Sequence, residues 1–307
     1  MSLALLFPGQ GTQHVATLPW LDSRQEAAAT LQLLASTLGV DWRSRLADPT
    51  WATANRVAQL LITGLSIAAW QCLATKLPAP AVIAGYSVGE LAAFCAAGVF
   101  DAATAMSLAQ DRADAMERSA AGQRTGLLAV HGGPTAVLDR LCERHALSLA
   151  IRLGPDSAIV GGLASSLDAA EADLAVGGLR STRLAVHVAS HTPWMSEAAA
   201  SFAGRLAAAT LATPRATLVC NLTAAATRAP EDLARCLAGQ IASPVLWDAC
   251  MDAIAERGVR CVLEVGPATT LSTLWRARHP SIAVRSVDEF RSPDAIAAWV
   301  DKVLVWH

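Results

Sequence analysis

Gly85-Tyr86-Ser87-Val88-Gly89 sets a serine between two glycines at the spacing G-x-S-x-G. Where such a run joins a strand to a helix, the chain turns sharply and the serine hydroxyl stands clear of the backbone, while the glycines let strand and helix approach closely. A helix beginning there would aim its N-terminus and the Val88 amide at an oxyanion forming on an acyl carbonyl. Five-residue patterns also arise by chance, and a purely structural turn is the alternative. Serine is nucleophilic at neutral pH only beside a base, and seven histidines are available. His307 is the last residue, His279 precedes Pro280 in a polar stretch and His145 falls at a helix end, which leaves His14, His131, His187 and His191. His191 lies in Val188-Ala189-Ser190-His191-Thr192-Pro193, a loop ahead of a helix, where a side chain can face a cleft. His187 falls on an expected strand, so the pair does not share a helical face suited to a metal. A lone loop histidine is commonly a solvated surface group, and composition alone does not choose among the four.

Two further signals stand apart from the serine. Pro8-Gly9-Gln10-Gly11-Thr12-Gln13 follows an apolar run, and its glycines allow backbone amides to point at a negative oxygen, as they also allow a plain strand-to-helix turn. Arg112 sits between Asp111 and Asp114 on an expected helix, where a solvated surface charge is the ordinary reading.

The elements that must position these groups follow from pattern and punctuation. Ser2–Phe7 reads as a first strand. Helical periodicity covers Ser23–Leu38 and Asn55–Leu77, and Pro78 and Pro80 then break the chain ahead of the short apolar strand Ala81–Ala84. Helices are expected over Val88–Ala97 and Asp101–Ala121. Strands alternating with helices predict a mainly parallel sheet covered on both faces, an α/β fold. From Gln123 the texture changes: strand Leu127–His131, helix Pro134–His145, strands Leu147–Leu153 and Ala158–Val160, helix Leu167–Val176 and strand Thr182–Val188. That order, βαββαβ, is the ferredoxin-like one. The α/β pattern then resumes with helix Pro193–Ala209, strand Thr217–Asn221, helices Glu231–Ile241 and Val245–Arg257, and strand Cys261–Val265, before a helix, a strand and a last helix.

The 307 residues are 53% apolar and 16% charged, and 24 Lys+Arg against 26 Asp+Glu leave a net charge of −2. A mean hydropathy of +0.37 excludes a disordered chain, and the balanced charge supplies no field to gather nucleic acid. The longest apolar run, Gln59–Ala74, is interrupted by Thr63, Gly64, Ser66 and Gln71 and falls short of the ~20 clean residues of a membrane span. No basic segment precedes the first apolar stretch, so a signal peptide is not expected. Seven scattered cysteines without a CxxC pair read as reduced, buried small hydrophobes, with the cytoplasm as the expected compartment.

Taken together, these residues resemble the malonyl-CoA:acyl-carrier-protein transacylase family. Phe7–Gln13 is similar to its opening motif, Gly85–Glu90 to its nucleophile elbow, Asp111-Arg112 with Met116 to its carboxylate-binding segment, and Ser190-His191 to its catalytic histidine. Gln240 ahead of Ser243-Pro244-Val245-x-Trp247, and Glu264-Val265-Gly266-Pro267, are similar to its C-terminal signatures, so the resemblance spans essentially the whole chain in order. The resemblance implies a hydrolase-like core with a mainly parallel sheet over residues 1–122 and 190–307, and an inserted ferredoxin-like α+β subdomain over 123–189. It implies Ser87 as nucleophile and His191 as general base. Gln10 and Val88 would form the oxyanion hole, Arg112 would bind the substrate carboxylate, and the Gln240 carbonyl would orient the histidine. No cofactor or metal is expected to be resident; malonyl-CoA is the implied thioester substrate and the phosphopantetheine-type thiol of an acyl carrier protein the acceptor, with no nucleic acid or membrane as partner.

Two departures concern the acyl pocket: Tyr86, the only tyrosine, replaces a usual histidine, and Arg152-Leu153-Gly154-Pro155-Asp156 lacks an asparagine-rich pattern. The run Gly85–Glu90, the segment Ala189–Met195 and the nine tryptophans resemble one branch, the malonyltransferase (epsilon) subunit of biotin-independent malonate decarboxylase. On that branch other decarboxylase subunits would be partners. The alternative is a stand-alone malonyl transacylase of fatty acid or polyketide synthesis; a thioesterase or esterase and a non-catalytic carrier-docking subunit are the remaining readings.

Overall fold

The computed structural model describes residues 2–306; His307 lies outside the described residues. Its strands are β1 (Leu3–Phe7), β2 (Val82–Gly85), β3 (Thr125–His131), β4 (Ser148–Arg152), β5 (Ser157–Leu163), β6 (Arg180–Arg183), β7 (Thr217–Val219), β8 (Ala226–Thr227), β9 (Val245–Leu246), β10 (Cys261–Glu264) and β11 (Ala283–Ser286). The first sheet runs β11-β10-β1-β2-β7-β8 and is parallel except for the antiparallel edge strand β8.

β1, Leu-Ala-Leu-Leu-Phe, is buried along its whole length, as a central parallel strand covered on both faces should be. Because strand side chains alternate, Leu3, Leu5 and Phe7 enter one apolar cluster with the helices Gln25–Leu38 and Asn55–Leu73, while Ala4 and Leu6 enter another with Trp247, Met251 and Trp275. The expected α/β class and mainly parallel sheet are what the structure holds. Helix Asn55–Leu73 is long and apolar enough to cross a membrane by length and composition, contrary to the sequence estimate. However, 78% of its apolar window is buried inside the protein, against helices Gln25–Leu38 and Ala102–Ala120.

The second sheet runs β6-β3-β5-β4-β9. Its first four strands, with helices Thr135–His145 and Ala164–Val176, keep the βαββαβ order, all antiparallel. Two sequence expectations are corrected here. Val245-Leu246 is not the start of a helix: it is β9, pairing in parallel with Ile151-Arg152, and the helix is Trp247–Ala255. β-Branched Val245 favours the extended form, and the ion pair from Arg152 Nε to Asp248 at 2.8 Å ties the two segments together. The strand expected over Thr182–Val188 instead covers Arg180–Arg183, and His187 lies in the loop beyond it. The mostly apolar run 184–188, with β-branched Val186 and Val188, mimics a strand, yet the ladder with β3 covers residues 180–183 and ends on the bond from the Leu184 N–H to the Leu127 carbonyl.

Register decides where the loops emerge. Phe7 is paired with Gly85, so the segments after β1 and β2 leave the carboxyl edge of the sheet side by side, the edge at which ligands bind in open α/β sheets.

Candidate active site

Ser87 stands at the turn between β2 and the helix Gly89–Ala96, with φ of 55°. That left-handed backbone is strained for a non-glycine residue and clusters at functional sites. Both flanking glycines are required by close approach. A Cβ on Gly85 would lie 2.2 Å from the Glu90 nitrogen, and one on Gly89 would lie 2.3 Å from the Phe7 carbonyl oxygen.

His191 reaches the serine from the other part of the chain, 2.7 Å from Nε2 to Ser87 Oγ. It too has a positive φ, 64°, and is 1% exposed. Its ring Nδ1 lies 2.5 Å from the Gln240 carbonyl oxygen, and its backbone N–H donates to the Ile241 carbonyl at 2.8 Å. A carbonyl only accepts, so Nδ1 must carry the proton and Nε2 of the neutral ring presents its lone pair to the Ser87 hydroxyl. Burial, and then the Arg112 cation, push the imidazole down to about 3, against the opposing bond to Gln240. The ring is therefore a free base at neutral pH. Gln240 caps the C-terminus of helix Pro230–Gly239, whose negative end favours the imidazolium that proton transfer would create; no third acid is needed.

The other histidines are engaged elsewhere. His14 Nε2 lies 2.5 Å from Asp288, His131 Nδ1 lies 3.4 Å from Ser157 Oγ, and His145 Nε2 lies 2.8 Å from Asp173. His187 lines two cavities, of about 860 and 260 Å³. The smaller also touches Gln10 and Asn55; the larger lies along the second sheet, with Arg124 and Arg183, and does not contain Ser87.

Arg112, 1% exposed on helix Ala102–Ala120, turns inward rather than into solvent. Asp101 starts that helix by accepting the Thr104 N–H at 2.8 Å, and Asp111 pairs with Arg205 on the outer side. Arg112 Nη1 donates to Gln59 Oε1 at 2.6 Å and Nη2 to Ser87 Oγ at 3.3 Å, while Nε has no acceptor among the described residues. No carboxylate lies within salt-bridge distance of Arg112 among the described residues. Burial lowers its pKa to about 10, with Glu90 opposing, so it stays charged at neutral pH.

The amides of Gln10 and Val88 donate to no acceptor among the described residues, Val88 capping the helix Gly89–Ala96. Gly9 packs against Tyr86, a Cβ there falling 2.7 Å from its ring and carbonyl, so the loop after β1 lies directly on the serine turn. Tyr86 itself stands edge-on to Trp247, ring centres 5.1 Å apart.

Sequence reasoning missed Gln59, Glu90 and Asn221 as members of the site. Asn221, fully buried just beyond β7, accepts the Ser87 N–H at 2.7 Å and donates to the Gly85 carbonyl at 2.6 Å. Its own N–H donates to Glu90 Oε1 at 2.7 Å, and burial pushes the Glu90 carboxyl up to about 8 against that bond. A polar residue at a strand's carboxyl end, and a glutamine within an apolar helix, were the available signals.

A strained serine, a neutral imidazole, two free amides and an unpaired buried cation can together perform acyl transfer. The comparisons agree in class: the model of the acyl transferase domain matches residues 5–281, and the chain belongs to that family of acyltransferases. More particularly, it is 34% identical over 304 residues to the malonyl CoA-acyl carrier protein transacylase of Mycobacterium tuberculosis, covering 96% of this chain and 99% of that one. The crystal structure of the malonyl-CoA:acyl carrier protein transacylase of Xanthomonas oryzae is similar, with a TM-score of 0.90, 28% identity and 99% of each chain covered. So is a malonyl-transacylase solved in complex with its type II PKS acyl-carrier protein, with a TM-score of 0.90, 25% identity and coverage of 98% and 99%.

Proposed function

We propose that the protein transfers a malonyl group from malonyl-CoA to the phosphopantetheine-type thiol of an acyl carrier protein, as a stand-alone transacylase. One observation carries the reading: the buried Arg112 guanidinium, without an acidic partner, directs Nη2 at Ser87 Oγ from 3.3 Å. A desolvated cation left unpaired is costly, and a free carboxylate on the acyl group entering at the serine would satisfy it through the planar fork.

In this reading Ser87 Oγ attacks the thioester carbonyl while His191 Nε2 takes its proton. The Gln10 and Val88 amides hold the tetrahedral oxyanion, a contribution of ~3 kcal/mol for each donor in comparable sites. Collapse breaks the carbon–sulfur bond, and His191 returns the proton to the departing CoA thiolate. The carrier's thiol then gives its proton to His191 and attacks the acyl-serine; His191 reprotonates Ser87 Oγ as the product thioester leaves. With the chain divided into residues 1–122 with 190–307 and residues 123–189, the smaller cavity, lined by Gln10 and Asn55 on one side and His187 and Val188 on the other, is where the two parts meet and where the pantetheine arm would enter. Reduced thiols at all seven cysteines suit a cytoplasmic setting.

The relatives named above favour this over the malonate decarboxylase subunit expected from the Gly85–Glu90 run. Incubation with malonyl-CoA should give a malonyl adduct on Ser87 by intact mass that discharges onto a holo carrier protein faster than to water. Faster discharge to water would make the protein a thioesterase; no adduct at all would leave only a carrier-docking role.

A further inference from the structure

Asn221 makes three short hydrogen bonds around the strained serine turn, and none of them involves a group that reacts. Its side-chain oxygen takes the Ser87 N–H and its side-chain nitrogen holds the Gly85 carbonyl, so one amide bridges the residues on either side of Tyr86. Its backbone N–H is in turn held by the buried Glu90 carboxyl, one turn into the following helix. We propose that Asn221 is a positioning residue that clamps the Ser87 turn in its left-handed conformation and keeps the Ser87 amide out of the oxyanion hole.

Two physical arguments support the clamp. A serine at φ 55° persists only where its surroundings over-determine it. Here the amide side chain matches one donor and one acceptor that have no other partner among the described residues. Second, with the Ser87 N–H occupied at 2.7 Å, the free amides at the turn are those of Val88 and Gln10. Asn221 thus decides which donors face the reacting carbonyl as well as where the hydroxyl stands.

The proposal rests on Ser87 being the nucleophile, so its test uses a probe that needs neither malonyl nor carrier. A fluorophosphonate forms a bond from Ser87 Oγ to phosphorus and loses fluoride, the proton passing to His191; its labelling rate reads the serine alone. Asn221→Ala should label on the order of 100-fold more slowly, as expected for two buried polar groups left unpaired in the reactive geometry. Malonyl-CoA affinity, compared in a Ser87→Ala background, should remain within a few-fold. Wild-type labelling, or lost affinity with unchanged labelling, would overturn the clamp.

Asn221→Asp keeps the test decisive should the alanine variant fold poorly. Protonated, its carboxyl reproduces the pattern, accepting from Ser87 and donating to Gly85; ionised, it sets a negative oxygen against the Gly85 carbonyl. The titratable and charged groups around it, Glu90, Arg112, His191 and the thiols of Cys220, Cys236 and Cys250, are shared with the wild type. The ratio of variant to wild-type labelling should therefore fall as the introduced carboxyl ionises with rising pH, and should stay well below one wherever it is ionised. A ratio near one across the whole pH range refutes the proposal, and a wild type that labels normally but takes no malonyl group refutes only the substrate.

Discussion

Removing Arg112 is the sharpest perturbation the site offers, because the guanidinium is 1% exposed and has only neutral partners, Gln59 and Ser87. A malonyl carboxylate in its fork would form two charge-assisted bonds worth about 1.5–3 kcal/mol each. Their loss in Arg112→Ala is thus about 3–6 kcal/mol, or roughly a 10²- to 10⁴-fold fall in kcat/KM for malonyl loading. An acetyl group has no carboxylate to lose, and its loading should change by less than about tenfold, the effect of the single 3.3 Å bond to Ser87. Arg112→Lys should fall between, since a point charge cannot hold both oxygens. The assay is acyl-enzyme formation from malonyl-CoA and acetyl-CoA, followed by intact mass under rapid quench, with a melting curve to report folding. An equal loss for both acyl groups in a folded variant would refute the role and make Arg112 a structural support for Gln59.

Four further outcomes are expected. Ser87→Ala should show no acyl adduct with malonyl-CoA, and an adduct surviving in that variant would move the nucleophile elsewhere. His191→Ala should slow acylation on the order of 10⁴-fold or more. In the wild type the ring held down near 3 should keep kcat/KM level between pH 7 and pH 5, whereas an imidazole at its ordinary value would already cause a roughly 30-fold fall at pH 5. Glu90, raised to about 8 in the folded protein from a usual 4.5, contributes stability that is complete below pH 4.5 and is lost as pH rises toward 8. Glu90→Gln should remove that slope from the melting temperature across the same window; an unchanged slope would assign it to other groups.

Much of this molecule is legible along the chain. β1 and β2 announce themselves as short apolar runs ended by turn residues, and the G-x-S-x-G serine lies where strand gives way to helix. The βαββαβ order of the second sheet follows from periodicity alone. These are local properties: burial on both faces needs an unbroken apolar strand, and a tight turn needs glycine. The short strand β9 escaped because two residues carry no period, and its existence depends on an unsatisfied edge of β4 almost a hundred positions earlier.

What the sequence could not decide was which polar groups meet. By residue type and spacing His191 is one of four histidines and only the family resemblance singles it out; the fold brings Nε2 within 2.7 Å of Ser87 Oγ and sets a helix-terminal carbonyl behind the ring. Arg112, flanked by acids, reads locally as a surface charge, and only the resemblance assigns it to a carboxylate; the packing of helix Ala102–Ala120 turns it inward and leaves it without a counterion among the described residues. Asn221 and Gln59 carried no motif of their own. Chemistry at this site arises from burial and mutual distance, which are properties of the packed chain; residue type and spacing supply only the candidates.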